Sequence, residues 1–288
     1  MVKEKMTAIA DTIRSHTGKT DKLFLDDMPL AIENACAAEY EKGFTAGQAG
    51  GGDGYEEGFA DGKQAEYDRF WDAYQQNGNR MNYAYGFSGV GWNAETFKPK
   101  YDIIPTNSTQ GFHSLNRDNA DWESFDLVEH LAKLGVVLDF SQSVSVASLF
   151  MWAWIGRVGV VDCRSAGAVS LNTVFSHGKI KTIDKVIVNP DQSFTNTFQN
   201  NTELTNITFE GTIGNDISFQ WQKKLSKASI ESIVGHLSDV TTGKTLTLSQ
   251  TAVDNAFHDP EGEDVIGSAS ADWNSLMESK PNWTITLV

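Results

Sequence analysis

Chemistry in this chain would have to come from its histidines, cysteines, acidic clusters or tryptophans. Its six histidines (His16, His113, His130, His177, His236 and His258) are scattered. No pair has His-Glu-x-x-His or other metal-ligand spacing, so no metal site is expected. Glu129-His130 falls on a predicted helix and reads as a solvated face. Thr17-Gly18-Lys19-Thr20 ends like a phosphate-binding loop but lacks the earlier loop glycine and a preceding strand. Cys36 and Cys163 fall in different predicted modules, which argues against a disulfide framework and makes Cys163 a small core residue. The acidic loop from Asp259 to Asp264 lacks the spacing of an EF-hand. Paired carboxylates of a glycosidase act through spatial separation, which sequence does not give, and nothing here signals a cleft. The expectation is a non-enzymatic protein with no cofactor.

What remains is binding. Trp152 and Trp154 alternate with Met151 and Ala153, so one face of that run could be exposed. Exposed indoles would suit sugar stacking or a protein contact, and buried ones would be core. On predicted strands further along, Arg157, Asp184, Lys185, Asn206, Thr208 and Glu210 are the outward candidates. The aromatic-rich stretch 80–112 admits a sugar-binding surface or a packed connector, and the connector is the expectation because aromatics are usually buried for their area.

Composition narrows the partners. The 288 residues carry 38 acidic against 23 basic side chains, a net charge of −15. Such a surface repels phosphate backbones, and no Lys/Arg cluster offsets it, so nucleic acid is not an expected partner. No stretch approaches the apolar length of a membrane span, and the polar opening lacks a signal-peptide core. The expectation is a protein made in a cytoplasm, without membrane insertion.

Positioning elements follow from periodicity. Met6, Ile9, Ala10 and Ile13 share a helical face, and Asp26, Asp27 and Pro29 suit the start of a second helix bearing Met28, Ile32 and Ala35. An internal repeat follows: Tyr40-Glu-Lys-Gly-Phe44 returns as Tyr55-Glu-Glu-Gly-Phe59. Gly54, Gly58 and Gly62 recur every four residues, at a helix cost of roughly 1 kcal/mol each. Close approach of another helix would offset that cost. Tyr55, Gly58, Phe59, Gly62, Tyr67, Phe70, Trp71 and Tyr74 are therefore the candidate self-association surface, with a trimer favoured over a dimer. A flexible glycine-rich linker is the alternative.

Beyond a helix expected from about Trp122 to Leu134, four segments share a Φ-x-x-Φ start, at Leu134, Ile155, Ile180 and Leu204. Each is followed by a polar return with a late aromatic: Phe150, Phe175, Phe198, then Phe219 or Trp221. This spacing lies in the range of leucine-rich-type solenoids. Ser226 can cap a closing helix with Ile230, Ile233, Val234 and Leu237 inward, and Thr245–Leu248 can pair with Trp283–Val288. The expected fold class is α+β. A helical docking module at 1–38 and a glycine-rich helical or coiled-coil oligomerisation segment at 39–79 precede an aromatic-rich connector at 80–121. A leucine-rich-repeat-like β-solenoid with helical caps occupies 122–288.

Two stretches carry a resemblance. Ile9-Ala-Asp-Thr-Ile-Arg14, Thr17–Asp21 and Leu25-Asp-Asp-Met-Pro29 resemble N-terminal modules of tail and baseplate-associated proteins of phages and prophages of Firmicutes. Phe194-Thr-Asn-Thr-Phe198 and Leu204-Thr-Asn-Ile-Thr-Phe-Glu-Gly211 resemble BspA-like leucine-rich-repeat proteins. The resemblance implies a virion component of a tail, baseplate or fibre, bound to itself and to other tail proteins. It also implies attachment to a carbohydrate or protein of the host surface. A BspA-like bacterial surface adhesin is the alternative.

Overall fold

Strands whose inward residues recur every third position build the first sheet. The computed structural model describes residues 93–166, 171–239, 243–257, 267 and 270–288. The chain divides into compact units at 1–73 and 74–288, and the described residues belong to the second. The expected N-terminal helices, the self-association surface from Tyr55 to Tyr74 and the acidic loop from Asp259 lie outside the described residues.

The described part is a β-solenoid of about four turns with a few helices. Strands β1 (Trp154–Asp162), β2 (Lys179–Val188) and β3 (Asn206–Gly211) form a parallel sheet in that order. Ile155 pairs with Ile180, Val158 with Ile183 and Val161 with Val186. Ile183 pairs in turn with Ile207, and Val186 with Phe209. All of these are buried. A pleated strand alternates with period two, so inward spacing of three requires an extra residue. That residue shows as a register shift between β2 and β3 in the segment Ile183 to Val186.

Three of the four expected Φ-x-x-Φ segments therefore stack in register; the first does not. Leu134 and Val137 are 39% and 57% exposed, and Leu138 instead makes an isolated parallel bridge to Ile103. The place beside β1 goes to Asp126, bridged to Arg157. The expected helix from Trp122 is split accordingly. A 3-10 turn spans Trp122–Ser124, Asp126 caps a new start through its bond to the Glu129 N–H, and α1 runs Leu127–Leu134. Gly135 ends it at φ 68°, a left-handed conformation that glycine adopts without a Cβ penalty. Gly156 lets the 3-10 turn approach, because a Cβ there would stand 2.0 Å from the Glu123 carbonyl oxygen.

Packing starts earlier than the expected boundary at 122. Phe112 stacks on Phe150 at 5.3 Å, and the column continues through Phe175 (5.9 Å), Phe198 (5.5 Å) and Phe219 (4.5 Å). Phe219, not Trp221, supplies the last ring, and Trp221 is 41% exposed. In the returns, alternate amides donate to the next turn, as Ser148, Phe150 and Trp152 do to Asn172, Val174 and Ser176. These returns hold residues at positive φ four apart, such as Ser148 and Trp152 or Thr173 and His177.

Helices cover both edges of the first sheet, α1 beside β1 and α2 (Lys227–Gly235) beside β3. Ser226 accepts from the Ser229 N–H, and Ile230, Ile233, Val234 and Leu237 are buried as expected. A second parallel sheet, β4 (Ile217–Phe219), β5 (Lys244–Leu248) and β6 (Trp283–Leu287), extends the aromatic column by pairing Phe219 with Leu248 and Leu248 with Leu287. Helix α3 (Gln250–Ala256) follows β5, and α4 (Ala271–Glu278) precedes β6.

Candidate functional site

The outward side chains of the first sheet pair with one another from turn to turn. Arg157 donates through Nε and Nη2 to the two Asp184 carboxylate oxygens at 2.8 and 2.9 Å, and through Nη1 to Asp126 at 3.2 Å. These carboxylates hold the guanidinium firmly charged, with the Asp184 hydrogen bond foremost. Lys185 donates to Glu210 at 2.7 Å and Lys181 to Glu123 at 3.1 Å. Thr208 donates to the Asp184 carbonyl oxygen. The extra residue in β2 matters here: consecutive Asp184 and Lys185 are both partly exposed, one serving the preceding turn and the other the next. Of the outward candidates, Arg157, Asp184, Lys185, Thr208 and Glu210 are engaged within this ladder, and Asn206 is exposed beside it.

Trp152 and Trp154 are both half-buried, between the two alternatives read from sequence. Each is bracketed by neighbours from adjoining turns. Trp152 lies 4.9 Å from the His177 ring, with the Arg117 guanidinium 4.7 Å from its own centroid. Trp154 pairs in register with Lys179, whose ammonium stands 3.7 Å from the indole and 6.0 Å from that of Trp122. Asn116, buried, donates to the Trp154 carbonyl at 2.9 Å and fixes the turn carrying Arg117. His113, in the same return, is held below its ordinary pKa by burial and then by the Arg117 charge. Three consecutive turns thus present indoles and cations together.

Arg117, His177 and Lys179 were not among the expected site residues. A signal existed. Trp152 to His177 and Trp154 to Lys179 are both 25 residues, the spacing of Phe150 to Phe175. Applying the repeat offset to the tryptophans would have found their partners.

Several sequence readings resolve locally. His130 is not on a solvated face: its ring stacks on Phe97 at 6.0 Å, meets Phe125 edge-on, and Nε2 bonds the Phe97 carbonyl. Glu129 is exposed, paired with Lys133 at 2.8 Å. Cys163 is fully buried, and burial pushes its thiol well up, which disfavours the nucleophilic thiolate. Among the described residues no group of three or more His, Cys, Asp or Glu is placed to hold a metal, and no helix is long and apolar enough to cross a membrane.

A shallow groove of ≈ 540 Å³ lies beside the second sheet, with Asn196, Asn215, Asp216, Ser218, Thr245 and Thr247 in its walls. Its polar groups are partly committed. Asn215 donates to the Pro190 and Gln192 carbonyls, and Asp216 accepts the Thr245 N–H at 2.7 Å.

Set against known proteins, the chain matches no family model, no curated protein and no solved structure.

Proposed function

We propose that the chain is a non-enzymatic attachment and assembly protein whose leucine-rich-repeat-like solenoid presents a binding surface. In this reading it is a virion component of a phage tail, baseplate or fibre that contacts the host surface. The supporting observation is the corner where Trp152, Trp154, His177 and Lys179 project from two hydrogen-bonded turns. Stacked turns hold those side chains with little freedom left to lose on binding, which is what a recognition scaffold requires. The resemblance of Ile9–Pro29 to tail-associated modules supplies the virion part of the reading. The N-terminal modules would then dock and self-associate, with a trimer favoured.

Proteomics of particles purified after prophage induction of the encoding strain tests this. Peptides of the chain co-purifying with tail proteins support it. Recovery only from the surface of intact, uninduced cells would replace it with the bacterial adhesin.

A further inference from the structure

Cations among the described residues meet carboxylates, neutral oxygens or rings: Lys244 bonds the Asn215 amide oxygen, Lys280 the Leu237 carbonyl, and Lys227 lies over Phe257 as well as beside an acid. Arg157, Arg164, Lys181, Lys185, Lys224 and Lys227 each pair with a carboxylate at 3.2 Å or less. Arg117 and Lys179 do not. Lys179 has indoles as its neighbours and no carboxylate partner among the described residues, and Arg117 reaches only the exposed Asp118, at 3.8 Å. In a chain with fifteen more acidic than basic groups carboxylates are plentiful, yet Arg117 and Lys179 are set against indoles rather than close acids.

An aromatic face holds a cation without consuming its hydrogen bonds. A guanidinium resting on a ring keeps its in-plane N–H groups at the rim, and an ammonium keeps the N–H groups turned from the ring. Both cations are thus positioned and still able to donate. Arg117 and Lys179 come from turns on either side of the one carrying Trp152 and Trp154, which spaces two positive charges along the solenoid. His177 lies against Trp152, with its Nδ1 buried and unpartnered among the described residues.

We propose that this corner binds an acidic saccharide, its anionic groups taken by Arg117 and Lys179 and its sugar rings set against the edges of Trp152 and Trp154. The proposal rests on the solenoid being a binding scaffold and names the ligand that scaffold would take. The anion can be the carboxylate of a uronic acid polymer or the phosphate of a sugar-phosphate polymer, since both accept charge-assisted bonds from these donors.

The test is calorimetric titration of the full chain with three probes: trigalacturonate, a synthetic phosphodiester-linked mannose trimer, and neutral maltotriose. Binding of one or both anionic probes, weakened by added salt, is expected, and which probe binds identifies the source of the anion. R117Q and K179Q should each lower that affinity about tenfold, while K224Q, which removes the same charge from the ion pair with Glu203, should change it less than about threefold. Thermal melts within a few degrees of the parent check that each variant folds. No binding of either anion, equal affinity for maltotriose, or an equal effect of K224Q overturns the proposal. Equal maltotriose affinity, or presence in virions without anion binding, would leave the attachment reading standing and remove only this one.

Discussion

The hydroxyl of Ser229 accepts the backbone N–H of Ile207 at 2.9 Å, so a helix side chain takes the place that another strand would fill. Ser232, one turn further along α2, does the same for Phe209 at 3.0 Å. These bonds close the edge of β3. A buried amide without a partner costs about 1–3 kcal/mol. Ser229→Ala and Ser232→Ala should each lower unfolding stability by about 1–2 kcal/mol, measured as a shifted denaturation midpoint at unchanged slope. Losses below about 0.3 kcal/mol would mean that water or a helix shift replaces the hydroxyls.

The phenylalanine column predicts a sharp contrast between neighbouring aromatics. Phe175 is 1% exposed between two stacked rings, and Phe175→Ala should cost about 3–5 kcal/mol. Trp221 stands outside the column, and Trp221→Ala should stay within about 0.5 kcal/mol. Equilibrium denaturation of the two variants beside the parent checks this, and similar losses in both would contradict the observed register.

Two glycines should respond to alanine with opposite sign. At Gly156 a Cβ would meet the Glu123 carbonyl at 2.0 Å, so Gly156→Ala must displace the 3-10 turn from β1 and should lower the melting temperature by several degrees. At Gly235 a Cβ meets nothing within 4 Å, and the residue ends α2. Gly235→Ala should therefore be neutral or stabilise by up to about 1 kcal/mol. Differential scanning calorimetry of both variants is the check.

Asp162 supplies a pH dependence. It is 7% exposed, and its bond with Arg164 at 2.6 Å holds its carboxyl below the ordinary value of 3.8. The folded state therefore binds this proton less readily than the unfolded chain. Its contribution is complete above the unfolded value and is lost as pH falls through the lower folded value. Between about pH 4 and pH 2 the parent should lose stability more steeply than Asp162→Asn. Parallel slopes of stability against pH would contradict the assignment.

The capping helix α2 and the register of β1 to β3 were legible because local pattern and burial agree there. Ile155, Ile180 and Leu204 open segments whose third-residue spacing leaves one way to bury all the apolar side chains together. Leu134-Gly-Val-Val137 satisfies the same pattern, yet α1 runs into its first residue and Gly135 ends the helix at φ 68°. An apolar pattern does not say which of two neighbouring segments will occupy a sheet edge. Asp126 occupies it, with Gly156 admitting the 3-10 turn and Arg157 bonding the Asp126 carboxylate.

By itself the sequence determined the stacked turns, the phenylalanine period and the covering of β3, because hydrophobic spacing and cap residues act over a few residues. It also determined the acidic balance of the chain, fifteen more acidic than basic groups. Only the tertiary structure decided which outward side chains neutralise one another. Arg157 and Asp184 are 27 residues apart, and Trp154 and Lys179 are 25 apart. Such pairs depend on the register between turns. A shift of one residue would turn ladder, indoles and cations to different faces.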